Sequence, residues 1–131
     1  MLSQFRNKKI PDIYLFISHF LDHFIILVFA KAAYDAGQDI GLTYGETIQL
    51  ATLGFILFGV ASPLAARVAD IFSRSITMVV FHFGLGISSI LISFSYTSLH
   101  LVLGLSSLGF FAAIFHPFGI AMLLETKERV G

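Results

Sequence analysis

His19, Asp22 and His23 bring a carboxylate and two imidazoles together in an otherwise apolar, aromatic stretch. Residues three and four apart share one face of a helix, so in helical form these groups suit a proton relay. Asp22 falls about ten residues into the stretch, which puts it near the middle of a bilayer if the helix spans one. A carboxylate at that depth costs roughly 2.5–3.5 kcal/mol on insertion scales and is a functional candidate by default. Proton uptake relieves that cost. The competing reading is structural, with Asp22 paired to an imidazole or a backbone group for packing.

His116 is the second ionisable group of interest because Pro117 follows it. Proline has no N–H to offer the carbonyl of Ala113, so a freed acceptor and a local bend are expected beside the imidazole. Such backbone is tolerated in a membrane where it faces protein or a water-filled cavity. His116 and Pro117 are therefore expected to line a pathway. His82 reads as a packing residue and His100 as interfacial. Lys31 lies near the outer end of the first stretch and is expected to snorkel toward water, the alternative being a cavity cation for an anionic solute.

These residues need elements to hold them, and the composition says which. Of 131 residues, 56% are hydrophobic and 12% charged, with a mean hydropathy of +0.88, far from the averages of soluble domains. From Ser75 to Leu124 there is no Asp, Glu, Lys or Arg. As one straight helix that stretch measures about 75 Å at 1.5 Å per residue, more than twice the thickness of a bilayer's hydrocarbon core. It must fold back, and Ser95-Tyr96-Thr97-Ser98 with His100 is the place, Tyr96 suiting the headgroup level.

Two further spans precede it. Thr43 and Glu46 have capping-box spacing, which starts a helix near Tyr44. Pro11 suits the first turn of the initial helix. The expected fold is all-α and polytopic, with spans at about 12–34, 44–66, 75–95 and 99–123 in a single membrane domain. A cleaved signal peptide is disfavoured because Asp22, His19 and His23 interrupt its apolar region.

With four alternating spans, Arg6, Lys8, Lys9, Arg67, Arg74, Lys127 and Arg129 fall on one side, leaving Lys31 toward the other. The excess of basic residues on cytoplasmic loops then puts both termini in the cytoplasm of a multi-pass inner-membrane protein. The short basic flanks form no nucleic-acid face. With no cysteine, disulfides and thiolate metal sites are excluded. Neither enzyme chemistry nor a metal or other cofactor is expected. Small residues within the spans, among them Gly54, Gly59, Gly84, Gly86, Gly104 and Gly109, are expected at helix contacts.

The segment from Pro63 to Arg74 is expected to be a short amphipathic loop, with Asp70 between Arg67 and Arg74 and near the positive end of the following helix. It resembles the G-x-L-A-D-R-x-G-R-R loop of the major facilitator superfamily. Ala69, Asp70 and Arg74 match; Ala66, Val68, Ile71, Ser73 and Ser75 depart from the pattern. Leu42-Thr43-Tyr44-Gly45-Glu46 is similar to that family's approach to its second helix. Phe115-His116-Pro117-Phe118-Gly119-Ile120-Ala121 resembles the Y/F-H-P-x-G motif of helix four in the fosmidomycin-resistance-like branch, and Ser18-His19-Phe20-Leu21-Asp22-His23-Phe24 is similar to that branch's first helix.

The resemblance runs from about Ile13 to Gly131 and implies transport of a small solute by alternating access, coupled to protons. It implies that helices one and four line a central cavity, so that Asp22, His19, His23, His116 and Pro117 meet there, and that Arg67, Asp70 and Arg74 form a cytoplasmic gate. Family members have twelve helices, so this chain is expected to be the front part of a larger transporter, ending before helix five and needing the remaining helices or another chain. Its partners are then the lipid bilayer, protons and a small molecule. Three other readings compete: a truncated chain without transport, a small four-helix exporter that dimerises, and a haem- or metal-binding membrane protein using His19, His82 and His116.

Overall fold

The computed structural model describes residues 12–128, and among them the only regular elements are helices: α1 (Asp12–Asp39), α2 (Tyr44–Ile71), α3 (Arg74–Ser93), α4 (Ser98–Ala112) and α5 (Phe115–Glu128). The fold is all-α, as expected from the long uncharged apolar runs. Among the described residues, four stretches are long and apolar enough to cross a membrane: Asp12–Asp39, Tyr44–Val68, Ser75–Ser93 and Ser98–Gly119. Pro11, Arg6, Lys8, Lys9 and Arg129 lie outside the described residues, as does the side chain of Lys127.

The turn between α1 and α2 is specified locally. Gly41 adopts φ +79°, a left-handed conformation that glycine enters without a Cβ penalty. Its N–H donates to the Gln38 carbonyl at 3.0 Å, while the Leu42 N–H donates to that of Gly37 at 2.8 Å. This pair of bonds is a Schellman closure of α1. Two residues later the capping box forms: the Thr43 N–H donates to Glu46 Oε2 at 2.8 Å and the Glu46 N–H to Thr43 Oγ1 at 3.4 Å. One helix is therefore ended and the next begun within Ile40–Thr43.

Two boundaries differ from the sequence reading. The segment from Pro63 to Arg74 is not a loop, because α2 continues through Ile71 and only Phe72 and Ser73 separate it from α3. Pro63 removes one hydrogen bond from the ladder, and the Leu, Ala and Arg residues after it favour helix. Asp70 consequently sits in the last turn of α2, and Ser73 caps α3 by accepting from the Ile76 N–H at 3.3 Å. The fourth span is interrupted at Ala113 and Ile114, dividing it into α4 and α5.

Packing centres on α4, which lies against both α2 and α3. A Cβ on Gly109 would collide with the carbonyl of Gly54, and one on Gly54 would collide with that of Leu105. Backbone thus touches backbone where α2 and α4 cross, the arrangement small residues permit between helices in lipid. Across the α3–α4 contact, Ser88 Oγ and Ser107 Oγ share a 2.7 Å hydrogen bond. Leu15, Met78, Phe81, Leu101 and Phe115 belong to the buried cluster that joins α1, α3, α4 and α5. Phe20, Leu27 and Phe83 face outward and exposed, an apolar surface suited to lipid.

Candidate functional site

Asp22 is the buried carboxylate of α1, with 0% exposure. Among the described residues, its two oxygens and Ser106 Oγ are the buried side-chain polar atoms that no hydrogen bond satisfies. The nearest base is His116, the second residue of α5, whose Nε2 stands 3.3 Å from Asp22 Oδ2. That distance is within ion-pair reach, yet the alignment is not that of a hydrogen bond. The carboxylate is held close to the imidazole without being fully engaged by it.

The other two histidines complete the group. His19 and His23 are one turn apart on α1, and their Nε2 atoms approach to 3.0 Å, one nitrogen donating and the other accepting according to tautomer. The His116 ring lies edge-on to both, with centroids 6.1 Å from His19 and 5.4 Å from His23. Phe115 stacks on His19 at 5.5 Å, and Phe58 of α2 meets the His116 ring edge-on at 5.3 Å. Asp22, His19, His23 and His116, singled out from their spacing and setting, come together at one place between α1 and α5.

Pro117 acts through the backbone. With no N–H from Pro117, the Ala113 carbonyl accepts from Ser62 Oγ of α2 at 3.2 Å. The break between α4 and α5 therefore has a polar partner on another helix, and it is this break that sets the direction of α5 and with it His116. Ser62 carried no sequence cue beyond a hydroxyl beside a proline. The aromatic neighbours Phe58 and Phe115 were likewise indistinguishable from other core phenylalanines.

Beside the histidines opens a cavity of about 560 Å³ between α1, α2, α4 and the start of α5. His23 and His116 supply polar groups at one end, and Thr47 with Tyr34 and Tyr44 at the other, with Phe55 and Phe58 along its wall. The volume falls in the range of small-molecule pockets, whose walls are mostly apolar with few polar anchors.

The remaining candidates lie elsewhere. His82 is occupied: Nδ1 lies 2.8 Å from the Met78 carbonyl and 3.2 Å from the Tyr14 hydroxyl, and Nε2 lies 3.3 Å from Ser18 Oγ. It ties α3 to α1 and takes no part in the cluster around Asp22, so the grouping of His19, His82 and His116 expected for haem does not form. Lys31 is exposed and paired with Asp35 one turn on, its Nζ donating to Oδ2 at 2.6 Å. Arg67 is exposed near the end of α2. The side chains of Asp70 and Arg74 lie outside the described residues, so the geometry of that trio is not part of the described structure.

A family model described as Major Facilitator Superfamily matches residues 15–129. No curated protein and no solved structure matches the chain.

Proposed function

The chain belongs to the major facilitator superfamily, a family of membrane transporters, and from that premise we propose that it takes part in proton-coupled secondary transport of a small solute by alternating access, as part of a larger transporter. The observation that carries this reading is the buried, unsatisfied carboxylate of Asp22 facing His116 across α1 and α5. Alternating access moves helices of inverted repeats against one another around a site near the bilayer midplane. A proton shared between groups on two such helices ties its occupancy to their relative position.

In this reading Asp22 takes and releases the proton, with His116, His19 and His23 as its relay, and Pro117 fixes the bend that presents His116. The solute occupies the cavity beside them, its polar part toward His23 and His116 and its apolar part against the phenylalanine wall. Arg67, Asp70 and Arg74 act as the cytoplasmic gate, both termini face the cytoplasm of an inner membrane, and the likeness of the F-H-P-F-G sequence from Phe115 to Gly119 to the Y/F-H-P-x-G motif supports a reading within the fosmidomycin-resistance-like branch.

The test is proton uptake into liposomes containing the complete transporter, followed with an entrapped pH dye while a panel of small solutes is offered. Asp22→Asn should abolish solute-dependent proton movement while leaving the protein folded and inserted. Undiminished pH-driven flux in that variant refutes the coupling role.

A further inference from the structure

The three imidazoles of the cluster have a second property, independent of the transport reading. Each of His19, His23 and His116 offers a ring nitrogen, and these three atoms all lie within 4.8 Å of one another. We propose that His19, His23 and His116 bind a divalent transition-metal ion of the zinc class, with Asp22 supplying an oxygen donor, so that the ion ties α1 to α5.

The geometry is close to what such an ion requires. Zinc takes four ligands in a tetrahedron with Zn–N bonds of about 2.0–2.1 Å, which puts ligand atoms roughly 3.3 Å apart. The Nε2 atoms of His19 and His23 already stand 3.0 Å apart, the spacing two histidines reach at i and i+4 on one helix face. His116 comes from the other helix and completes the set by side-chain rotation within the 4.8 Å envelope.

A second observation points to the same place. Asp22 is 0% exposed, neither oxygen has a hydrogen-bond partner, and Oδ2 lies 3.3 Å from His116 Nε2. An unengaged buried carboxylate against a ring of three imidazoles is a donor set with a charge to neutralise, and a dication supplies that charge. Three nitrogens and one oxygen select zinc, cobalt or nickel over calcium or magnesium, which prefer all-oxygen sites. The ion has a way in, because His23 and His116 also line the cavity.

The experiment uses the full chain, purified in detergent with a tag free of histidine. Zinc chloride is titrated by calorimetry, and cobalt chloride is followed by visible absorption, where a tetrahedral site gives intense bands and an octahedral one weak bands. One ion per chain is expected, with intense cobalt bands. His19→Gln, His23→Gln and His116→Gln should each weaken zinc binding at least tenfold, and Asp22→Asn by about tenfold or more. His100→Ala, at an exposed position far along the chain, should leave it unchanged. His19 and His23 are exposed, so their variants keep the test decisive even if His116→Gln fails to fold. Absence of binding, weak octahedral bands, or binding that survives the His19 and His23 substitutions overturns the proposal.

Discussion

His116 Nε2 stands 3.3 Å from Asp22 Oδ2, and the two residues reach that position from helices that begin more than a hundred positions apart in the chain. The carboxylate is buried and otherwise unanswered, so the imidazole is its principal polar neighbour. This relationship makes a prediction about stability that does not depend on any substrate.

Asp22→Asn and His116→Gln should be coupled. If the contact carries energy, the double variant loses less stability than the two single variants summed, by about 0.5–3 kcal/mol, the range seen for residues in direct contact. Thermal or chemical unfolding of the purified protein in detergent gives all four corners of the cycle. Strict additivity means that the two groups are neighbours without an energetic link.

The α2–α4 crossing predicts a contrast between two glycines. Gly109→Ala drives a methyl group into the Gly54 carbonyl, a rigid obstacle, and overpacking of this kind costs roughly 1–3 kcal/mol. Gly86→Ala on α3 meets open space and should be neutral or stabilise by up to about 1 kcal/mol, because alanine favours helix. Unfolding midpoints of the two variants, compared side by side, decide the matter; equal losses contradict the close backbone contact.

Gly41 makes a third case. Its φ of +79° closes α1, and an added side chain has room but the wrong backbone preference. Gly41→Val should therefore destabilise by about 1–2 kcal/mol through backbone conformation alone, and Gly41→Asn by less, since asparagine enters that region more readily. The same loss for both would point to something other than backbone conformation.

The sequence exposed the parts of this structure that follow from local chemistry. The uncharged run after Arg74 required a hairpin, Thr43 and Glu46 required a cap, and His19, Asp22 and His23 required one helical face. The partner of Asp22 also emerged, through the resemblance of the Phe115–Gly119 motif to a family helix. Hidden from it were consequences of three-dimensional approach. Pro63 looked like the start of a loop, yet α2 runs on to Ile71, because one missing hydrogen bond does not outweigh the helix-forming residues that follow. Pro117 was expected to bend the fourth span, and the bend takes the form of a break at Ala113 and Ile114 sharp enough to part α4 from α5. The contribution of Ser62 depends on a helix crossing that no spacing in the chain encodes.

That contribution yields the last prediction. Ser62 Oγ donates to the Ala113 carbonyl because Pro117 has no N–H with which to do so. Ser62→Ala should then cost about 0.5–1.5 kcal/mol, the usual net worth of such a bond within or between membrane helices. Pro117→Ala restores an N–H at the position that serves the Ala113 carbonyl in a continuous helix, which makes the hydroxyl redundant. In that background Ser62→Ala should cost close to nothing, and helix content should rise by circular dichroism as α4 and α5 join. If Ser62→Ala is equally damaging in both backgrounds, the hydroxyl acts elsewhere, and the orientation of His116 does not depend on this exchange of donors.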